Sequence, residues 1–268
     1  SYNKMFYAYL KTFKRLGLTA IPMEAETGPI GGDLSHEFVI LAETGESKIY
    51  ADKRIFDIDI EKYNFQDNSI AQLRENYNNY YAVTDDKFKK EEFEKKVKVE
   101  NRLVTKGIEV GHIFYFGDKY SKPLKCSVDL QGGKKVDVKM GSYGIGVSRL
   151  VAAIIEAKYN NNIMKWPESV APFKVAIIPS LLKNDKSNYS KAEKIYNLLI
   201  KNKIDVIFDD TDEHLSAKFK KFDLLGVPYQ IILGSKSTHD KFEFKELNGK
   251  TENLSLDEIK KKLLNNRN

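Results

Sequence analysis

The segment Trp166-Pro167-Glu168-Ser169-Val170-Ala171-Pro172 constrains the fold more than any other. Each proline removes a backbone donor and fixes φ, so no regular element passes through both. The texture changes across it. On the C-terminal side, apolar runs at 174–178, 205–208 and 229–233 alternate with helical periodicity at 190–201 and 215–225. Strands alternating with helices predict right-handed βαβ units and a mainly parallel sheet. A strand at 242–247 follows, then a helix at 255–264 whose Ser255 and Glu258 form a capping box. The N-terminal side reads differently, and the chain divides into an antiparallel α+β domain at 1–165, a linker at 166–172 and an α/β domain at 173–268.

Within the first domain, Tyr2, Met5, Phe6, Tyr9, Leu10, Phe13 and Leu16 recur at helical spacing, and Gly17 stands where a C-cap belongs. Strands are predicted at 19–23 and 36–42, around the loop Glu26-Thr27-Gly28-Pro29-Ile30-Gly31-Gly32-Asp33. The stretch 45–106 has no Gly or Pro between its ends and mixes charges of both signs. It reads as one or two solvated helices, at 69–81 and 85–97. A strand at 110–116 comes next. Leu124, Cys126, Val128 and Leu130 then alternate with polar residues, as do Val136, Val138 and Met140, around Gln131-Gly132-Gly133. That pattern predicts a hairpin with one buried face. A glycine-rich turn at 141–146 enters a helix at 147–158.

Composition removes several classes. One cysteine, Cys126, excludes an internal disulfide framework and any multi-cysteine zinc site, and fits a reducing, cytosolic compartment. No apolar run has membrane-spanning length and no signal peptide opens the chain. The start at Ser1, with a helix almost at once, suggests that an upstream part is missing. The net charge of +6 suits a nucleic-acid partner, but a lysine- and asparagine-rich genome would produce it equally well.

Chemistry concentrates in Gly141-Ser142-Tyr143-Gly144-Ile145-Gly146-Val147-Ser148-Arg149-Leu150. Glycines there let the backbone approach a planar or phosphate-bearing ligand, and a helix N-terminus beneath favours anions. Arg149 offers a planar fork suited to phosphate oxygens. A dinucleotide-binding fingerprint fails, because Arg149 stands where the third glycine belongs and a hairpin precedes the turn. A tight turn with a surface arginine is the plain alternative.

This segment resembles motif 3 of class II aminoacyl-tRNA synthetases, in which a strand, turn and helix present an arginine to ATP. Lys106-Gly107-Ile108-Glu109-Val110-Gly111-His112-Ile113-Phe114, with Gly117-Asp118-Lys119-Tyr120-Ser121, resembles the preceding segment of bacterial prolyl-tRNA synthetases. Thr27-Gly28-Pro29-Ile30-Gly31-Gly32 with Ser35-His36-Glu37-Phe38 resembles a second signature, and Trp166-Pro167 with Ala171-Pro172-Phe173 the entry into the anticodon-binding domain. Four signatures in the right order are far more specific than one. The likeness leaves out only 45 to about 102.

The resemblance implies a partial class II catalytic core followed by an anticodon-binding domain, in a cytoplasmic enzyme that joins proline to tRNA(Pro) with ATP and Mg²⁺. Arg149 would clamp the triphosphate, Gly144 and Gly146 would admit the adenine, and Glu109 would serve ATP or its Mg²⁺. Ser142, His112, Glu109, Phe114 and His36 would line the proline pocket, with Glu37 and Phe38 near its wall. Asp209, Asp210, Lys218 and Lys221 would meet the anticodon. Thr211 and Leu215-Ser216 depart from the family's usual arginine and Pro-Gly there. Motifs 1 and 2, which carry the homodimer helix and a second arginine, are absent, so these residues alone would be inactive. The 45–106 stretch is too short for the editing domain of many relatives. A threonyl, histidyl or glycyl synthetase, or a non-catalytic tRNA-binding paralogue, are the alternatives.

Overall fold

The computed structural model describes all residues except 67–68, 161–162, 181–186, 235–236, 239, 248 and 266–268. Two compact units divide between Ala157 and Lys158. The first opens with α1 (Tyr2–Arg15), which buries Tyr2, Phe6, Tyr7, Tyr9, Leu10 and Phe13. These positions recur every three to four residues, so one stripe faces the core. Phe6, Tyr9 and Phe13 all meet Phe38, at centroid distances of 5.6, 5.1 and 5.7 Å. Gly17 then takes φ 72°, the left-handed turn that ends such a helix.

Eight strands follow: β1 (Ala20–Glu24), β2 (Leu34–Leu41), β3 (Ser47–Asp52), β4 (Ala82–Thr84), β5 (Arg102–Gly117), β6 (Ser127–Asp129), β7 (Lys135–Asp137) and β8 (Met140–Ile145). Helices α2 (Ser69–Asn78) and α3 (Lys90–Lys96) lie between β3 and β5, and α4 (Val147–Lys158) closes the unit. The pairings run β5–β2–β1–β4–β3 and back to β5, a closed circuit, with β8 attached outside it, among the described residues, to β5 alone. All are antiparallel except the single β1–β4 bridge, Glu24↔Val83.

Two expectations are corrected here. The 45–106 stretch contains β3 and β4 as well as helices, and Tyr50, Tyr81, Phe93 and Val97 build a small core of its own. Residues 141–146 belong largely to strand β8 rather than to a turn. A third is half right: β6 and β7 form the hairpin, but Leu124, Val128 and Leu130 stay exposed, so it has no buried face.

The second unit contains β9 (Tyr159–Asn160), β10 (Ile163–Met164), β11 (Val175–Pro179), α5 (Ser187–Lys201), β12 (Val206–Phe208), α6 (Leu215–Leu225), β13 (Tyr229–Leu233), β14 (Phe242–Glu246), β15 (Thr251–Leu254) and α7 (Leu256–Asn265). Its main sheet has the order β12-β11-β13-β14-β15. β12, β11 and β13 are parallel, whereas β14 and β15 join antiparallel, so the sheet is mixed rather than mainly parallel. The reason is length: a parallel return needs a crossover of about a dozen residues or more, and the β13–β14 connection is shorter. α5 and α7 pack on one face through Ile195, Leu199, Ile259 and Leu263. Phe222 of α6 covers Ala176 and Ile178 on the other. The capping box holds: the Glu258 carboxylate accepts the Ser255 N–H at 2.8 Å.

Candidate active site and anticodon-domain cluster

Paired residues of an antiparallel sheet point to the same face. The β2–β5 register sets Glu37 beside His112 and Ser35 beside Phe114. The β5–β8 register sets His112 beside Gly144 and Phe114 beside Ser142. Two rows therefore cross three strands on one face: Glu37–His112–Gly144 and Ser35–Phe114–Ser142.

Glu109 joins them through an irregularity. Three residues separate it from His112, which in a regular strand would place the two on opposite faces. The β2–β5 register shifts between Phe38 and Val39, passing from Gly111 to Glu109 and leaving Val110 without a partner. This β-bulge returns Glu109 to the His112 side. One ligand atom from each of Glu37, Glu109 and His112 then lies within 4.8 Å of the others.

The His112 ring is held from three sides. Nε2 lies 2.5 Å from the buried Ser35 Oγ, and the ring stacks on Phe114 at 3.8 Å. Nδ1 faces Glu109 at 3.4 Å and Glu37 at 3.8 Å. Burial raises the Glu37 carboxyl above the usual range and Glu109 repulsion adds to it, with His112 acting in the opposite sense. Gly144 leaves the floor beside His112 open: a methyl placed there meets nothing within 4 Å.

Arg149 enters from α4 with its side chain half exposed. Its Nη1 donates to the Glu109 carbonyl at 3.1 Å and lies 3.3 Å from Glu46 and 4.0 Å from the Glu109 carboxylate. Gly146, just before the helix, donates to the Val110 carbonyl and ties α4 to the bulge. The structure thus gathers Glu109, His112, Phe114, Ser142, Gly144, Gly146 and Arg149 on adjoining elements.

His36 goes elsewhere. As the neighbour of Ser35 and Glu37 it points to the opposite face, into the α1 core. There the Tyr2 hydroxyl lies 2.7 Å from Nδ1 and the Phe6 ring meets it edge-on at 5.2 Å. Burial pushes its pKa down to about 4, against the pull of Asn78. Phe38 shares that face and is buried. Strand alternation in Ser35-His36-Glu37 carried this signal. Nothing in the polar 45–106 stretch pointed to Glu46.

In the second unit, Asp209 follows β12 and is buried; Asp210 is exposed. The Asp209 carboxylate accepts the Thr211 N–H at 3.1 Å and hydroxyl at 2.5 Å, and lies 3.4 Å from Lys218 and 2.9 Å from Lys221. Burial works to raise its pKa, but these hydrogen bonds and the Lys218 charge hold it below the usual range. Lys218, expected on a face open to RNA, is fully buried, and its ammonium donates to the carbonyls of Pro179, Asp209 and Thr211 at 3.2, 3.2 and 2.6 Å. The carbonyl ends of β11 and β12 converge there, and only a long cationic chain reaches them all. Lys221 remains part-exposed, paired also with Glu213 at 2.8 Å.

Among the described residues, no helix is long and apolar enough to cross a membrane. Residues 174–266 match the anticodon-binding domain family. Over 261 residues, 97% of its length, the chain is 63% identical to a "Proline--tRNA ligase" of Pelagibacter ubique (strain HTCC1062). It is 47% identical, over 96% of its length, to the ligase of the same name from Rhodopseudomonas palustris (strain BisA53). A third, from Afipia carboxidovorans, is 49% identical over 88% of the chain. The chain spans 59% of the length of the first two relatives and 54% of the third. Similarity of this degree runs through both units and ends in an anticodon-binding domain, so these residues are similar to part of the proline–tRNA ligases named above.

Proposed function

We propose that these residues serve a proline–tRNA ligase, in which proline and ATP give prolyl-adenylate and pyrophosphate before transfer of the prolyl group to tRNA(Pro). The β2–β5–β8 face would be the core of a class II catalytic domain, in a cytoplasmic protein that works as a homodimer. The carrying observation is the gathering of Glu109, His112, Phe114, Ser142, Gly144 and Arg149 on one site in a chain so similar to named proline–tRNA ligases.

In the first step the proline carboxylate attacks the α-phosphorus and pyrophosphate departs. Its difficulty is negative charge on the triphosphate, which positioned cations relieve more than any protein base does. Arg149 is exposed enough to turn its fork from Glu46 to phosphate oxygens. Gly144 and Gly146 supply a floor without side chains for the adenine. The carboxylates of Glu109 and Glu37 are the hard oxygen donors that Mg²⁺ takes, and they stand beside Arg149. Bound there, Mg²⁺ would neutralise charge on the phosphates. Phe114 and Ser142 form the wall against which the small proline ring would lie, with His112 fixed by Ser35 at its edge. Asp210, exposed, and Lys221, part-exposed, are the groups from which the second unit would contact an unstacked anticodon.

The test joins the remaining portion of the Pelagibacter relative to these 268 residues and measures pyrophosphate exchange with each amino acid. Proline-dependent exchange is the expected outcome. Exchange driven by threonine, histidine or glycine instead, or by none, would overturn the reading.

A further inference from the structure

Three side chains on the β2–β5 face stand close together without pairing off. His112 Nδ1 lies 3.4 Å from Glu109 Oε1 and 3.8 Å from Glu37 Oε1. Both separations exceed an N–H···O hydrogen bond, which closes to about 2.7–3.2 Å. They come nearer the edge of a tetrahedron of zinc ligands, where bonds of about 2.0–2.1 Å set neighbouring ligand atoms about 3.3 Å apart. An octahedron of Mg²⁺ ligands, with bonds of the same length, would draw them to about 2.9 Å. Glu109 can give Oε1 to an ion without releasing Arg149, whose guanidinium approaches the other oxygen, Oε2, at 4.0 Å. The imidazole is also supported as a metal ligand is. A ligating histidine donates its second ring N–H to an outer oxygen, which fixes the tautomer. The buried Ser35 Oγ lies 2.5 Å from Nε2 and can accept that proton, leaving the Nδ1 lone pair for the side where both carboxylates stand. Phe114, stacked at 3.8 Å, holds the plane of the ring. Room remains beside Gly144, which pairs with His112 across β5 and β8, since a methyl group there meets nothing within 4 Å.

We propose that Glu37, Glu109 and His112 form a site for a divalent transition-metal ion of the Zn²⁺ class, with a fourth position left for an exchangeable ligand. The donors choose the ion. Two carboxylates alone suit Mg²⁺, which takes oxygen ligands and keeps several waters. A neutral imidazole nitrogen as third donor shifts the preference to first-row transition ions. Three protein ligands, rather than four, make the open type of zinc site, in which water or a substrate oxygen completes the coordination. The inference rests on ligand chemistry and does not depend on the proposed reaction. It adds one consequence to that reaction: Zn²⁺ and the Mg²⁺ that serves ATP share the same two carboxylates, so binding of one excludes the other.

Metal binding to the 268-residue chain tests this without any assay of activity. One Zn²⁺ per chain should bind, read by competition with a chromophoric chelator, and Mg²⁺ in large excess should displace little of it. Co²⁺ in the same place should show the intense visible absorption of tetrahedral coordination, not the pale octahedral spectrum. Ser35→Ala, which removes only the partner of Nε2, should weaken Zn²⁺ binding by about 10- to 100-fold. Glu37→Gln, which keeps size and shape, and His112→Ala should weaken it further, since each removes a ligand. Cys126→Ser and His214→Gln alter exposed groups that could take zinc adventitiously, and should change nothing. Absence of a bound equivalent, ready displacement by Mg²⁺ or an octahedral Co²⁺ spectrum would overturn the proposal. So would undiminished binding in any of the first three variants, or loss of binding in either of the last two.

Discussion

The two units each hold a cluster of opposite charges, built on opposite plans. In the first, Glu37, Glu109, His112 and Arg149 meet across three strands and a helix, partly exposed, with two carboxylates sharing one imidazole. In the second, Asp209 and Lys218 are buried and carry several hydrogen bonds between them. A closed cluster, in which Asp209 Oδ1 takes the Thr211 hydrogen bonds and Oδ2 is approached by Lys221 at 2.9 Å, holds strand ends together. An open one with more acceptors than donors has capacity left for a ligand. Charge alone does not separate architecture from chemistry; burial does.

Lys218→Met should break that comparison most forcefully. It keeps the length and removes the ammonium, stranding the Asp209 carboxylate and three carbonyls in the interior. Removing one partner of a buried pair costs about 3–5 kcal/mol. Urea unfolding followed in the second unit should show that loss. A loss below about 1 kcal/mol, the range of exposed pairs, would mean the cluster is as open as the first unit's.

His36 sharpens the contrast within one strand, since its neighbour Glu37 faces the open cluster. Unfolded, its imidazole gains a proton as pH falls through about 6.5. Folded, it stays neutral until about pH 4. Between those values the unfolded state binds the extra proton, so stability falls as pH drops through the window and is complete above it. At about 1.4 kcal/mol per pKa unit the span reaches roughly 3 kcal/mol. Unfolding of the first unit between pH 7 and 4.5 should show this slope, and His36→Gln should flatten it. An unchanged slope in the variant would place the titration elsewhere.

Arg149 tests the open cluster directly. In the full-length chimera, Arg149→Ala should lower kcat/KM for ATP in pyrophosphate exchange by about 10- to 150-fold, the value of a charge-assisted hydrogen bond of about 1.5–3 kcal/mol. Arg149→Lys should recover little, because a point charge lacks the planar fork. Stability should change by less than about 1 kcal/mol. Normal ATP kinetics with a lower melting temperature would make Arg149 structural and erase the difference between the clusters.

The sequence displayed some of this and hid the rest, for identifiable reasons. Helix α1, the β2 and β5 strands, the capping box at Ser255 and the placement of Arg149 follow from periodicity and local chemistry, which act over a few residues. The company of Glu109 and His112 does not, because it depends on a bulge at Val110 created by pairing with a distant strand. β3 and β4 were concealed in polar surroundings, where the sheet, rather than their own residues, makes them strands. β8 read as a turn because its glycines suit either conformation. Lys218 looked like a solvated lysine, since nothing local announces that two strand ends will close over it.

Lys221→Ala carries the smallest expected effect and the most exacting comparison. Lys221 and Lys218 lie three residues apart on α6 and approach the same Asp209 carboxylate, at 2.9 and 3.4 Å. Distance alone ranks Lys221 as the stronger partner. Burial reverses that order: Lys221 is 38% exposed, whereas Lys218 is fully enclosed. When Lys221 is removed, Asp209 Oδ1 keeps Lys218 and both Thr211 hydrogen bonds, Oδ2 loses its cation, and Glu213 stays half exposed. The loss should therefore stay below that of Lys218→Met and shrink further in 0.5 M salt, where the Debye length falls to about 4 Å. The Lys218→Met loss should barely respond to salt. Equal losses in the two variants, or equal salt dependence, would show that proximity to the carboxylate, and not enclosure, sets the strength of this cluster.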